Sequence, residues 1–267
     1  MQAVHFLALV EETASLDDLA SQLLNTVSDS PNMKLASLAI LTALPLLAAI
    51  TWGRAQTPIS ALPYSINAQG SYRLTASLAY DSPSGNAITV NVGYCTIDLN
   101  GHSIDNLHAG PSSRAVGIYA HGLPYVTVQN GEILGFYDGI YFEGDSAGTE
   151  NFGAIIQNMH FAYCGLDAIL MVNFSNSVIR NCQIINSSFG VTLLGVGDGN
   201  LVAGNNLSHI TNIGIGLGVG NLADGNFVTG ASIGFDSVGS SKLKNNTATN
   251  CGIGYAGSGT LLPGTNF

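Results

Sequence analysis

From residue 96 onward, apolar and polar positions alternate in short bursts that recur along the chain. The segments TIDLNGHSI (96–104), VTVQNGEI (126–133), AIIQNMHF (154–161), SVIRNCQI (177–184), NLVAGNNL (200–207), NLADGNFV (221–228) and SKLKNNTA (241–248) align on one turn position. That position is Gly101, Asn130, Asn158, Asn181, Gly204, Gly225 and Asn245, in steps of 29, 28, 23, 23, 21 and 20 residues. Two residues earlier the aligned positions are all apolar: Leu99, Val128, Ile156, Ile179, Val202, Ala223 and Leu243. One residue earlier they turn mostly polar: Asn100, Gln129, Gln157, Arg180, Ala203, Asp224 and Lys244. A period of two predicts a short strand with one face inward. Some ten residues later a second apolar run opens on Gly or Ala: GIYFEG (139–144), AILMVN (168–173), GVTLLG (190–195), GIGLGV (214–219), GFDSVG (234–239) and GIGYAG (252–257).

Seven copies with like residues in like columns require that like lie over like. A parallel solenoid does this, with coils about 4.8 Å apart, whereas an antiparallel sandwich does not. Gly and Asn at the shared turn fit that reading, since both tolerate left-handed backbone angles and an Asn amide can bond its stacked neighbours. The expected fold is all-β: a single-stranded right-handed parallel β-helix of about 7–8 coils over residues 56–267, preceded by a signal-peptide helix.

The N-terminal 55 residues follow another grammar. Lys34 precedes a 16-residue apolar run from Leu35 to Ile50, and Gly53-Arg54-Ala55 offers small residues at a cleavage point. Residues 33–55 therefore predict a secretory signal peptide, too short for an ordinary membrane span. Residues 1–32 carry Leu16, Leu19, Leu23 and Leu24 at helical spacing. They are either a leader upstream of a true start at Met33 or an amphipathic helix. The expected location is secreted, periplasmic or cell-surface, with membrane contact only through an uncleaved signal.

Composition sharpens this picture. The 267 residues are 46% hydrophobic and only 9% charged, with 33 Gly and a formal charge of −10 from 17 acids against 7 bases. No basic stripe exists to replace phosphate counterions, which excludes a nucleic-acid partner. Polybasic docking on anionic lipid is excluded on the same ground. Cys95, Cys164, Cys182 and Cys251 show no close spacing. They are expected mostly as small core residues, with Cys164 and Cys251 in the column of Phe136 and Ile210.

With the columns in place, the chain resembles the right-handed parallel β-helix proteins of the pectate-lyase-like superfamily. More narrowly, it is similar to secreted bacterial β-helix proteins that open with three motifs. Here these read Leu62-Pro63-Tyr64-Ser65-Ile66, Gly70-Ser71-Tyr72-Arg73-Leu74-Thr75 and Asp98-Leu99-Asn100-Gly101-His102-Ser103-Ile104. The resemblance covers about 60–258 and implies fold rather than function, because the superfamily holds lyases, hydrolases, epimerases, phage spikes and adhesins. The N-T-D, D-D, G-H-G and R-I-K clusters of polygalacturonases are absent from this sequence. The arginine or lysine base of the calcium-dependent pectate lyases has few candidates: Arg73, Arg114, Arg180, Lys242 and Lys244. Calcium would enter only with a lyase reading, and no metal-ligand cluster is expected from the scattered Asp residues.

If chemistry exists, the columns say where. Glu132 and His160 fall one coil apart in one outward column, with Arg180 a further coil on, and a carboxylate beside an imidazole can run acid–base work. Asp138 and Asp167 stack in successive coils just before the second strand, with Tyr141 and Glu143 on the same outer face. Two carboxylates about 5 Å apart suit a glycosidase pair or a cation site. The competing reading for both pairs is ordinary polar residues on a solvated sheet. Nine of the ten Tyr precede residue 164, so a glycan stacking on aromatic faces would lie over Tyr119, Tyr125, Tyr137 and Tyr141.

Downstream, Leu170, Val172, Thr192, Leu194, Gly216, Gly218 and Val238 make a smooth, partly apolar outward stripe, which suggests self-association. Ranked outward Thr residues of an ice-binding face are missing. Two functions stand: a non-catalytic surface protein that binds polysaccharide or cell-surface glycan or associates with itself, and a polysaccharide lyase or glycoside hydrolase. Convergence of Asp138, Asp167, Glu132 and His160 on one groove would mark the enzyme.

Overall fold

The period-two segments of the sequence are strands of a parallel solenoid in a computed structural model that describes residues 56–145, 151–262 and 266. The expected leader (1–32) and signal peptide (33–55) lie outside the described residues. Among those described, no helix is long and apolar enough to cross a membrane.

One sheet, called here the second, stacks nine parallel strands: Tyr64–Ile66, Asn86–Val90, Val116–His121, Asp138–Glu143, Asp167–Val172, Phe189–Leu194, Ile213–Leu217, Ile233–Ser237 and Ile253–Gly257. The first sheet runs from Thr57–Ile59 through Gly70–Leu74 and Cys95–Asp98 to the long strands Val126–Leu134 and Ile155–Ala162. Beyond these it divides into two tracks. One is Val178–Arg180, Leu201–Ala203, Leu222–Asp224 and Lys242–Lys244; the other is Gln183–Ile185, Asn206–Ser208, Phe227–Thr229 and Thr247–Thr249. The division falls at the shared turn, where Asn130, Asn158, Asn181, Gly204, Gly225 and Asn245 all have φ between 52° and 67°. An L side chain in that region is strained unless it is Gly or Asn, which explains the composition of the column.

The first aligned copy sits differently from the sequence alignment. Ile97, not Leu99, pairs with Val128, and Asp98, not Asn100, pairs with Gln129. After the turn Ile104 pairs with Ile133 as expected. The turn Leu99–His102 is two residues longer than its neighbours, and Leu99 folds inward over the α-carbon of Gly131. The inward column is therefore Ile97, Val128, Ile156, Ile179, Val202, Ala223 and Leu243. It faces Ile118, Ile140, Ile169, Val191, Ile215 and Phe235 of the second sheet, all essentially solvent-free. Burial of this kind contributes about 1.5–3 kcal/mol per large side chain.

One feature of the interior is not apparent in the sequence, and a second explains a pattern that is. Immediately after the shared turn, Asn205, Asn226 and Asn246 point inward and form a buried ladder. Asn226 and Asn246 Oδ1 each accept the backbone N–H and the Nδ2 of the preceding rung, at 2.9–3.0 Å, and Asn205 Oδ1 accepts the Cys182 N–H. A parallel ladder joins Ser177, Asn200, Asn221 and Ser241. Meanwhile Gly117, Gly139, Gly190, Gly214 and Gly234 share a column in which a Cβ would strike both the next coil's carbonyl and a core side chain. The Gly-or-Ala start of each second strand is thus a packing requirement.

The four cysteines are free. Cys164 stacks under Phe136 and over Ser187, and burial pushes its thiol up to about 12. Cys182 lies likewise in the interior.

Candidate functional site

Two inward residues in succession, Gly139–Ile140 and Ala168–Ile169, interrupt the alternation at the start of the second-sheet strands. The interruption turns the preceding residues, Asp138 and Asp167, to the outer side. They stack as expected, two residues ahead of the Ile140–Ile169 pair. They are not solvated, however: Asp138 is 6% exposed and Asp167 5%. The Asp167 backbone N–H donates to Asp138 Oδ1 at 3.1 Å, and the Thr192 hydroxyl donates to Asp167 Oδ1.

Burial raises both carboxyl pKa values. For Asp138 the Asp167 amide and the Arg114 guanidinium oppose the rise. For Asp167 burial dominates, the Thr192 hydrogen bond opposes it, the Asp138 charge adds to it, and the result is about 6. An acid whose folded pKa stands above its unfolded value stabilises the fold fully below about pH 4 and loses that contribution as pH rises through 6. Asp167→Asn keeps the side chain neutral at every pH. It should be more stable than the parent by roughly 3 kcal/mol at pH 8, with the difference closing at pH 4. Urea denaturation at the two pH values checks this, and an unchanged difference would show that Asp167 is ionised without penalty.

Glu132 and His160 are in register on the first sheet, with His160 Nδ1 3.4 Å from Glu132 Oε1. Above them lies an open depression of about 460 Å³ lined by Asn130, Asn158, Asn181, Met159 and Gln183. His160 Nε2 is buried there without a partner. Arg180 does not join the pair. Its Nε and Nη2 donate to Gln157 Oε1 at 2.9 and 2.6 Å. Gln157 in turn donates to Gln129, and Gln129 to Asp98. This polar chain spans four coils and holds Arg180 in a structural role. The two carboxyl-containing pairs therefore stand on different sheets, and the four side chains do not converge.

The tyrosines separate in the same way. Tyr119 and Tyr141 meet edge to face on the second sheet, 5.5 Å between centroids, and the Tyr119 hydroxyl donates to Glu143 Oε2 at 3.0 Å. Burial and the Glu143 contact push the Tyr119 phenol up to about 12. Tyr137 lies just ahead of Asp138 with the Arg114 guanidinium over its ring at 4.2 Å. Tyr125 is elsewhere, at the entry to the first sheet between Tyr94 and Phe152.

Continuing along the second sheet, Thr192, Leu194, Gly216, Gly218 and Val238 of the outward stripe line a groove of about 510 Å³, whereas Leu170 and Val172 lie outside its lining. Gly216 and Gly218 form its floor. Phe189, Leu194, Ile213, Val219 and Val238 wall it, and Asp167, Thr192 and Asp236 supply its polar groups. Gly216 falls in register between Thr192 and Asp236, so the missing side chain opens the depression. The sequence pattern marked the stripe as smooth but missed Phe189, Ile213 and Asp236. The G-x-G at 216–218 between apolar neighbours was the available signal.

Elsewhere, Asp81, Asp105 and His108 bring three donor atoms within 4.8 Å of one another. His108, without an evident partner in the sequence, contacts Asp81 Oδ1 at 3.2 Å. Such a set of donors could hold a divalent cation, although two of the three residues are solvent-exposed.

These coils define a parallel β-helix with an acidic, apolar-walled groove on one face. The chain belongs to the right-handed β-helix family: the pattern described as "Right handed beta helix region" matches residues 62–207 and 114–267. A comparison with curated proteins gives no match. An alginate lyase from Paenibacillus sp. str. FPU-7 is similar in structure, at 13% identity over 80% of this chain and 95% of that one, with a TM-score of 0.47. The periplasmic alginate epimerase AlgG is similar at 16% identity over 79% and 67%, with a TM-score of 0.42. The tailspike protein of E. coli bacteriophage HK620 follows at 11% over 79% and 52%, with a TM-score of 0.38. At these identities the likeness is one of fold alone.

Proposed function

We propose that this chain is a secreted, non-catalytic β-helix protein that binds glycan along the outer face of its second sheet. The observation that carries this reading is the groove over Gly216 and Gly218. Apolar walls suit the C–H faces of a sugar ring, and Asp167, Thr192 and Asp236 offer hydrogen-bond partners for its hydroxyls. Tyr119, Tyr141 and Glu143 extend the same outer face upstream. In this reading Leu194 and Val238 are groove walls rather than a lateral contact between copies. Binding is favoured over cleavage because Glu132 and His160 stand on the other sheet from Asp138 and Asp167, those two carboxyls are buried, and Arg180 is held by Gln157.

The test is a glycan array on the purified protein, repeated with Gly216→Leu. A Cβ at Gly216 meets nothing closer than Ile213 Cγ2 at 3.8 Å, and φ there is ordinary. The leucine should therefore fill the groove without disturbing the coil. Expected are an unchanged thermal midpoint and at least a ten-fold loss of affinity. Retained affinity would remove the site from this face, and release of reducing ends or unsaturated products would convert the reading to a lyase or hydrolase.

A further inference from the structure

We infer that the groove on the second sheet selects sugars bearing protonated amino groups and rejects uronates, an inference that rests on the glycan-binding reading above. Charge is distributed unequally between the two sheets. The outer side of the second-sheet strands carries Glu143 and Asp236 at partly exposed positions and Asp138 and Asp167 buried beneath it, and no Lys or Arg lies in any of its nine strands. The imidazole among them, His121, sits 3.6 Å from Asp145. Of the five Lys and Arg among the described residues, Arg73, Arg180, Lys242 and Lys244 are on the first sheet. The fifth, Arg114, is committed to the Tyr137 ring beside Asp138.

A uronate carboxylate brought into this groove would meet carboxyl groups within the reach of a low-dielectric wall and find no counter-charge. Like-charge juxtaposition of that kind excludes a partner. An ammonium group on the sugar would meet Asp236 in the groove, where desolvation by Phe189, Ile213 and Leu194 strengthens the attraction, and Glu143 further upstream on the same face. The pyranose faces would pack on the same walls in either case. Charge therefore decides between glycans of equal shape.

The experiment compares three hexamers by titration calorimetry on the full protein at 20 mM and 500 mM NaCl: glucosamine, N-acetylglucosamine and galacturonate. The glucosamine hexamer is expected to bind at least ten-fold more tightly than the N-acetylated one at low salt, with the gap shrinking at high salt as screening predicts. The galacturonate hexamer is expected not to bind. In the double variant Asp236→Asn, Glu143→Gln, both at partly exposed positions, the preference for the glucosamine hexamer over the N-acetylated one should fall below three-fold. Equal affinity for the two glucosamine hexamers at low salt, or tighter binding of galacturonate, would overturn the inference and leave glycan binding standing. So would a preference that survives in the double variant. A protein that binds none of the three yet binds a neutral glycan on the array overturns this inference alone; one that binds no glycan at all overturns both.

Discussion

Gly190→Val is expected to lose about 3 kcal/mol or more of stability, lowering the thermal midpoint by roughly 6–12 °C for a domain of this size. A Cβ at Gly190 would lie 2.2 Å from Leu207 Cδ2 and 2.3 Å from the Gly214 carbonyl oxygen. The leucine can change rotamer, but the carbonyl belongs to the next coil and cannot move without breaking the ladder between Phe189–Leu194 and Ile213–Leu217. A branched side chain adds two further methyls in the same space. Ala168 occupies this column one coil earlier, so a single methyl is tolerable where the local fit allows it. Scanning calorimetry checks the effect, and the contrast with Gly216→Leu is diagnostic. Both glycines lie in neighbouring second-sheet strands, but one points into the core and the other into the groove. Equal destabilisation by the two substitutions would mean that the inward and outward assignments are wrong.

The second large effect lies in the asparagine ladder. Asn226 Oδ1 accepts from the backbone N–H and Nδ2 of Asn205, while its Nδ2 donates to Val202 O and Asn246 Oδ1 at 2.8 and 2.9 Å. Its side chain is 1% exposed. Asn226→Ala leaves two donors of Asn205, the Val202 carbonyl and one acceptor on Asn246 without their partner. At about 1–3 kcal/mol for a stranded buried group, partly relieved where a second partner remains, the expected loss is roughly 3–5 kcal/mol. Guanidinium denaturation monitored by far-UV circular dichroism gives the value directly. A loss below about 1 kcal/mol would mean that water enters the ladder or that the coil closes over the gap.

Gly190 belongs to a column the sequence reveals, and Asn226 to one it conceals. A column of like residues at a 20–29 residue step was enough to infer a parallel stack, because only stacking in register brings such residues together. The positive φ at Asn130, Asn158, Asn181 and Asn245 follows from the same logic. At Leu99 the turn is longer by two residues, which shifts the register of the strand before it. Both alignments place an apolar residue inward, and only the ladder's hydrogen bonds distinguish Ile97 from Leu99. The Asn ladder escaped notice because an inward amide looks the same in sequence as a solvated one.

The candidate site was legible in its parts rather than in its assembly. Adjacency along one column, as for Glu132 with His160 or Asp138 with Asp167, follows from register alone, and the structure places both pairs as neighbours. Which sheet a column belongs to, and whether its members are covered, depends on how each coil bends. That is why the two pairs face apart, why Asp138 and Asp167 are buried, and why Tyr125 leaves the other tyrosines.

The sequence by itself determined the stacked coil, its inward apolar columns and its Gly and Asn turns, since these depend on local backbone preference and a repeated step. It also placed the scarcity of Lys and Arg in view. Only the tertiary structure decided that four of the five described cations share one sheet, and that missing side chains at Gly216 and Gly218 open a groove on the other. A groove is a relation between side chains from separate coils, and its shape depends on distances across the sheet that no single segment of sequence encodes.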